Sequence, residues 1–125
     1  MNEIFHTDKA PAALGPYSQA VKAGNLLFVS GQIPIDPAVG AMVENDIAVQ
    51  TRQSLNNVKA ILESAGYSCA DVVKTTVLLS DIENFAPMNA VYGEFFPSNC
   101  PARACFAVKD LPKGALVEIE VIASK

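Results

Sequence analysis

Residues 46–79 read DIAVQTRQSLNNVKAILESAGYSCADVVKTTVLL, and this run decides the fold. Asp46 stands as an N-cap and Gly66 as the residue past the helix end, with Ile47, Leu55, Val58, Ile61, Leu62 and Ala65 recurring near the helical period. Arg52, Gln53, Asn56, Lys59 and Glu63 take the other side, so one stripe suits a core and the other water. Val72 to Leu79, β-branched and bounded by Asp71 and Ser80-Asp81, then reads as a strand covered on both faces. The run is a crossover helix feeding a central strand.

Working upstream, Met1 to Phe5 reads as a first strand, and Tyr17 to Lys22 and Leu26 to Ser30 as two more, joined by Ala23-Gly24-Asn25 into an antiparallel hairpin. Ile33-Pro34-Ile35-Asp36-Pro37 with Gly40 reads as an ordered loop, because two prolines remove ladder donors. Downstream, a second helix is predicted from Asn84 to Phe96, with Pro87 tolerated in its first turn and Phe85, Met88, Tyr92 and Phe95 as its apolar stripe. Asn89 falls inside that stripe, where an amide needs a partner, and is a pocket candidate. Ala102 to Val108 and Leu116 to Ala123 complete the sheet. The order β-β, loop, α-β-α-β-β predicts an α+β fold, residues 1–125 forming a single domain with two helices on one face of a single mixed β-sheet.

Half the 125 residues are hydrophobic, and the mean hydropathy is +0.25. At this length roughly 65–70% of the unfolded surface can be buried, so surplus apolar area on the uncovered sheet face predicts self-association, with clefts between subunits. A net charge of −4 with scattered basic residues argues against a nucleic-acid partner. There is no basic start followed by an apolar stretch and no run long enough to span a membrane, so a cytoplasmic location and no membrane partner are expected. Cys69, Cys100 and Cys105 form no C-x-x-C pair, which fits reduced thiols. The single histidine, His6, has no Cys or carboxylate at ligand spacing, so neither a metal site nor a Ser-His-Asp triad is expected.

Chemistry concentrates in Pro101-Ala102-Arg103-Ala104-Cys105 and in Val117-Glu118-Ile119-Glu120-Val121. Arg103 is a permanent cation in an apolar strand, able to grip a carboxylate through two parallel hydrogen bonds or to form a structural salt bridge with a glutamate. Glu118 and Glu120 alternate onto one face, roughly 6–7 Å apart. Either can handle a proton, and two solvated glutamates would look the same. Tyr17, after Gly15-Pro16, and Ser30-Gly31 can face one end of the sheet, with Gly31 allowing close approach of a ligand to the backbone. Tyr17 reads equally as a half-buried aromatic and Ser30 as a turn former. Cys105 shares Arg103's face and reads as a small buried hydrophobe whose backbone matters more than its sulfur.

Taken together these segments resemble the Rid family (RidA, also called YjgF) of enamine and imine deaminases. The resemblance rests on Gly15-Pro16-Tyr17-Ser18-Gln19-Ala20-Val21, Ser30-Gly31-Gln32-Ile33-Pro34, the Gln50 to Gly66 helix, Val73-Lys74-Thr75-Thr76-Val77, Met88-Asn89-Ala90-Val91-Tyr92, Pro101-Ala102-Arg103 and Leu116-Val117-Glu118-Ile119-Glu120. It implies a chorismate-mutase-like homotrimer built around a central β-barrel, with sites between subunits. It implies hydrolysis of 2-aminoacrylate and related imines to 2-keto acids and ammonia, with no cofactor. Arg103 would clamp the substrate carboxylate and Glu118 would activate water. The Gly31 and Cys105 backbones would hold the imine, while Tyr17, Ser30, Phe85 and Asn89 shape the pocket. Cys100, before Pro101, departs from many relatives. Two other readings are a non-catalytic regulatory trimer binding small carboxylates, and an RNA-directed translation inhibitor or ribonuclease.

Overall fold

The computed structural model describes residues 2–125. Helix α1 (Ile47–Ser64) and helix α2 (Phe85–Phe95) lie across a six-stranded sheet. Its strands are β1 (Glu3–Phe5), β2 (Ala20–Ala23), β3 (Leu26–Gln32), β6 (Val72–Leu79), β7 (Ala102–Ala107) and β8 (Val117–Ser124), in the order β1-β2-β3-β8-β6-β7. Among the described residues only the β6–β7 pair is parallel, with α2 as its crossover, so the sheet is mixed, as the element order predicts.

α1 begins after Asp46 and its cap residue is Ala65, next to Gly66 at φ +81. Leu55, Val58, Ile61 and Leu62 are buried against Leu27, Val29, Val77, Leu79, Val117, Ile119 and Val121 of the sheet, joined by Met88 and Tyr92 of α2. Full burial of each such aliphatic side chain contributes about 1.5–3 kcal/mol. The same helix face buries Gln50, Thr51, Ser54 and Asn57, which periodicity alone does not mark as core.

Several predicted boundaries move. Tyr17, Ser18 and Gln19 precede β2 rather than starting it, because Tyr17 N–H donates to the Gly15 carbonyl (2.8 Å) in a local turn. β3 runs past Ser30 to Gln32 through a bulge. The proline loop contains a two-stranded ladder, β4 (Ile35–Asp36) with β5 (Ala41–Met42), since Pro34 and Pro37 flank the paired residues instead of interrupting them. α2 starts at Phe85 after a 3₁₀ turn over Ile82–Asn84, and its buried positions are Met88, Val91 and Tyr92, leaving Phe85 and Asn89 on the exposed side. The first strand is Glu3–Phe5, and Met1 lies outside the described residues.

β6 is not covered on both faces. Val72, Thr75, Val77 and Leu79 are buried beneath the helices, whereas Lys74, Thr76 and Leu78 are only partly covered. The row Ile4–Val21–Phe28–Ile122 crosses the same open face, with Ile4 67% and Phe28 41% exposed. Among the described residues, both helices therefore lie on one face of the sheet and neither covers the other. Among the described residues, no helix is long and apolar enough to cross a membrane.

Candidate active site

Between Val29 and Gln32 of β3, Ser30 and Gly31 together oppose Glu120 alone in β8, a bulge that bends the strand beside the carboxylates. A cavity of about 540 Å³ opens there, lined by Tyr17, Ser30, Gly31, Glu118 and Glu120, with Pro11, Leu14, Pro112 and Lys113 around it. The side chain of Glu118 lies directly over Gly31: a Cβ on that residue would collide with the carboxylate oxygen and stand 3.0 Å from its carbon. Glycine is required here for close approach, not for backbone conformation. Burial, reinforced by the negative charge of Glu120, pushes the Glu118 carboxyl above its ordinary value.

Ser30 Oγ donates to the Ser18 carbonyl (2.6 Å) and its N–H to the Gln19 carbonyl (2.9 Å), so the hydroxyl locks the bulge to the preceding segment. Tyr17, 52% exposed, accepts from Leu14 N–H through its hydroxyl at 3.4 Å, which leaves the phenolic hydrogen free for the cavity. Two buried amides that sequence reasoning missed hold these walls. Gln19 accepts from Thr7 N–H (2.7 Å) and donates to the carbonyls of Thr7 (3.1 Å) and Pro11 (2.8 Å), while Asn57 of α1 donates to the carbonyls of Ile33 (3.3 Å) and Ile35 (2.9 Å). Asn57 was detectable as a polar residue on the stripe of Ser54 and Ile61, at i+3 and i−4.

Arg103 is elsewhere. It pairs in register with Thr75, whose buried hydroxyl shares a 2.8 Å hydrogen bond with Tyr92 of α2, so both point to the helix side. Glu118 pairs with Leu78, three residues along β6, and so points to the open side. Arg103 Nη1 donates to Asn89 Oδ1 (2.6 Å), and the guanidinium carbon sits 4.7 Å from the Tyr92 ring centroid and 5.5 Å from that of Phe85. Among the described residues no carboxylate lies within salt-bridge distance of it, so the structural salt bridge open to sequence reading is not made. Cys100 lines the shallow cavity around Arg103, its thiol donating to the Phe96 carbonyl at 3.3 Å. Burial pushes the Tyr92 phenol and the Cys105 thiol upward, with Arg103 opposing both shifts. Cys105 of β7 pairs with Val77 of β6, and β7 is an edge strand whose outer backbone groups have no ladder partner among the described residues.

The sequence-predicted residues thus separate into two groups: Tyr17, Ser30, Gly31 and Glu118 around one cavity, and Phe85, Asn89 and Arg103 with Cys105 on the other side of the sheet. One group carries a carboxyl held above its ordinary pKa and the other a cation that, among the described residues, has no carboxylate partner.

An α+β chain with this split constellation matches a known protein class. The family model described as Endoribonuclease L-PSP covers residues 7–125, and the chain belongs to this family, the Rid (RidA/YjgF) family. A RutC family protein of Pyrococcus horikoshii is 58% identical over 125 residues, spanning 100% of this chain and 99% of the relative. The 2-iminobutanoate/2-iminopropanoate deaminase of Salmonella typhimurium is 50% identical over 126 residues, spanning 98% of each. The crystal structure of the Rid-family protein YyfA from Yersinia pestis superposes with a TM-score of 0.97 at 48% identity, covering 100% of each chain.

Proposed function

We propose that this chain is a cofactor-independent enamine/imine deaminase that hydrolyses 2-aminoacrylate and related intermediates to 2-keto acids and ammonia. It would act as a cytoplasmic homotrimer whose sites lie between subunits. The observation that carries this reading is the split itself: a cation with no carboxylate partner among the described residues and a carboxyl with raised pKa face opposite sides of one sheet, so a site using both needs two chains. The apolar open face supplies a surface for that association. A relative named as a 2-imino acid deaminase at 50% identity supports the chemistry.

In this mechanism Arg103 of one subunit grips the substrate carboxylate, its guanidinium held flat by Asn89, Tyr92 and Phe85. The imine carbon is already electrophilic, so orientation and one proton acceptor suffice. Protonation of 2-aminoacrylate at its terminal carbon by solvent gives the iminium form of the imine, whose nitrogen the backbone groups of Gly31 and Cys105 hold in place. Water forms a C–O bond at the imine carbon as Glu118 removes its proton, giving a carbinolamine. Glu118 returns that proton to nitrogen, the C–N bond breaks, and ammonia leaves as the C=O bond forms and Glu118, again a carboxylate, takes the hydroxyl proton and passes it to ammonia or solvent.

The test generates 2-iminobutyrate with threonine dehydratase, traps unreacted imine with semicarbazide, and compares wild type with Arg103→Ala and Glu118→Ala. Both variants should lose at least about 100-fold in rate. Wild-type rates in both would overturn the mechanism. Turnover absent from the wild type, with a small carboxylate still bound, would favour the regulatory reading.

A further inference from the structure

The Glu118 cavity holds two carboxylates, and Lys113 is the one cation among the described residues that line it. Arg103 faces the other side of the sheet and cannot offset them within the same chain. Lys113 also borders a neighbouring cavity of about 380 Å³, so it stands at the seam where the two meet. Its backbone is in the left-handed region (φ 57, ψ 24), a conformation that disfavours a β-carbon. Among the described residues, the other non-glycine at positive φ is Asn99, a type that tolerates it. The turn is held in place from both sides: Leu111 and Ala115 are buried, Gly114 N–H donates to the Leu111 carbonyl (3.3 Å) and Ala115 N–H to that of Pro112 (3.1 Å). No carboxylate among the described residues lies within salt-bridge distance of the Lys113 ammonium, so its charge is available to a ligand.

We propose that Lys113 is a specificity-determining residue, which adds a counter-charge at the cavity of Glu118 and Glu120 to the carboxylate clamp of another subunit's Arg103, and so favours a carboxylate-bearing imine over a neutral one. The inference rests on the deaminase reading for its substrate. An anion approaching two carboxylates in a half-buried cleft is repelled, and an ammonium on a flexible four-carbon stem at the rim offsets that field. Because the effect acts on encounter and binding, it appears in KM and in salt dependence, and leaves kcat alone.

Lys113→Gln removes the charge, Lys113→Arg keeps it, and Lys113→Gly removes it while relieving the backbone, so that folding is preserved. Each would be assayed on 2-iminobutyrate and on its neutral amide across ionic strength, and for binding of 2-oxobutyrate by calorimetry. In the Gln and Gly variants KM for 2-iminobutyrate should rise roughly three- to tenfold at low salt. Its salt dependence should flatten, and 2-oxobutyrate should bind more weakly by a similar factor. The amide should be processed as by wild type, and the Arg variant should behave as wild type throughout. Wild-type protein that turns over no imine yet binds 2-oxobutyrate in a Lys113-dependent manner would sink the deaminase reading and support the role of Lys113. Unchanged KM, salt slope and 2-oxobutyrate affinity in the Gln and Gly variants would overturn it, as would equal losses on charged and neutral substrates or no keto-acid binding by wild type.

Discussion

Arg103 and Glu118 look out of opposite faces of the same sheet. Thr75 and Leu78, their register partners on β6, are three residues apart, and strand alternation turns that odd spacing into a reversal of direction. No side-chain rotation on a formed sheet brings the two groups together. A reaction needing both must recruit them from different chains.

That geometry predicts complementation. Arg103→Ala and Glu118→Ala variants, each inactive alone, should regain activity when denatured together and refolded as mixed oligomers. With random assembly of equal amounts, a site between neighbours receives an intact arginine and an intact glutamate in about one quarter of cases, so about one quarter of wild-type activity should return. Mixing without subunit exchange is the control. Recovery no greater than that control would mean that the reaction does not combine Arg103 of one chain with Glu118 of another.

Gly31→Ala should separate catalysis from stability. The added methyl meets the end of a flexible side chain, so Glu118 swings aside while the backbone stays in place. Displacing a catalytic carboxylate by an ångström or so costs on the order of 100-fold in rate, while the melting temperature should shift by only a few degrees. A variant with full activity would show that Glu118 works from another position.

How much of this could be read from the chain is uneven, for physical reasons. Helix α1 and strand β6 were legible because a core stripe and a β-branched run leave periodic marks. The exposure of one β6 face was not, because Val, Thr and Leu suit a strand whether its second face meets water or another subunit. The bulge at Ser30-Gly31 and the tether from Gln19 depend on pairing across the sheet, which no local pattern records. Phe85, Asn89 and Arg103 were each visible as site candidates, yet their position across the sheet from Glu118 required the strand order. Strand alternation alone leaves Glu118 and Glu120 interchangeable, whereas in the fold Glu118 is half-buried and Glu120 is exposed at the cavity, where its charge raises the pKa of its neighbour.

Glu118→Gln should stabilise the protein at neutral pH. A carboxyl whose pKa is raised by folding contributes stability that is fully present below its unfolded pKa and lost as pH rises through its folded pKa. Above that window the ionised wild-type group is a net cost, from burial first and Glu120 second, which glutamine avoids. The gain of Glu118→Gln over wild type should therefore shrink as pH falls through the carboxylate range, followed by urea melts at several pH values. Turnover should fall at least about 100-fold, and the acid limb of the wild-type kcat/KM profile should lie above the ordinary carboxylate value. A stability difference independent of pH would remove Glu118 as the titrating group.

Buried polar side chains in this fold divide by whether they are satisfied, and the division predicts opposite effects. Gln19 is 2% exposed and its amide is bonded to the segment from Thr7 to Pro11, whose last residue lines the Glu118 cavity. Gln19→Ala strands those backbone groups and should cost about 1–3 kcal/mol. It should also raise KM, because the Pro11 wall loses its anchor. Thr51 is fully buried on α1, and its Oγ1 has no hydrogen-bond partner. Thr51→Val keeps the shape and removes an unsatisfied hydroxyl, so stability should stay level or rise by up to about 1 kcal/mol, with KM and kcat untouched. Paired denaturant melts and kinetics decide both. A loss of stability in Thr51→Val comparable to that in Gln19→Ala would mean that its hydroxyl finds a partner in solution, such as a buried water, and that hydrogen-bond satisfaction does not separate the two sites.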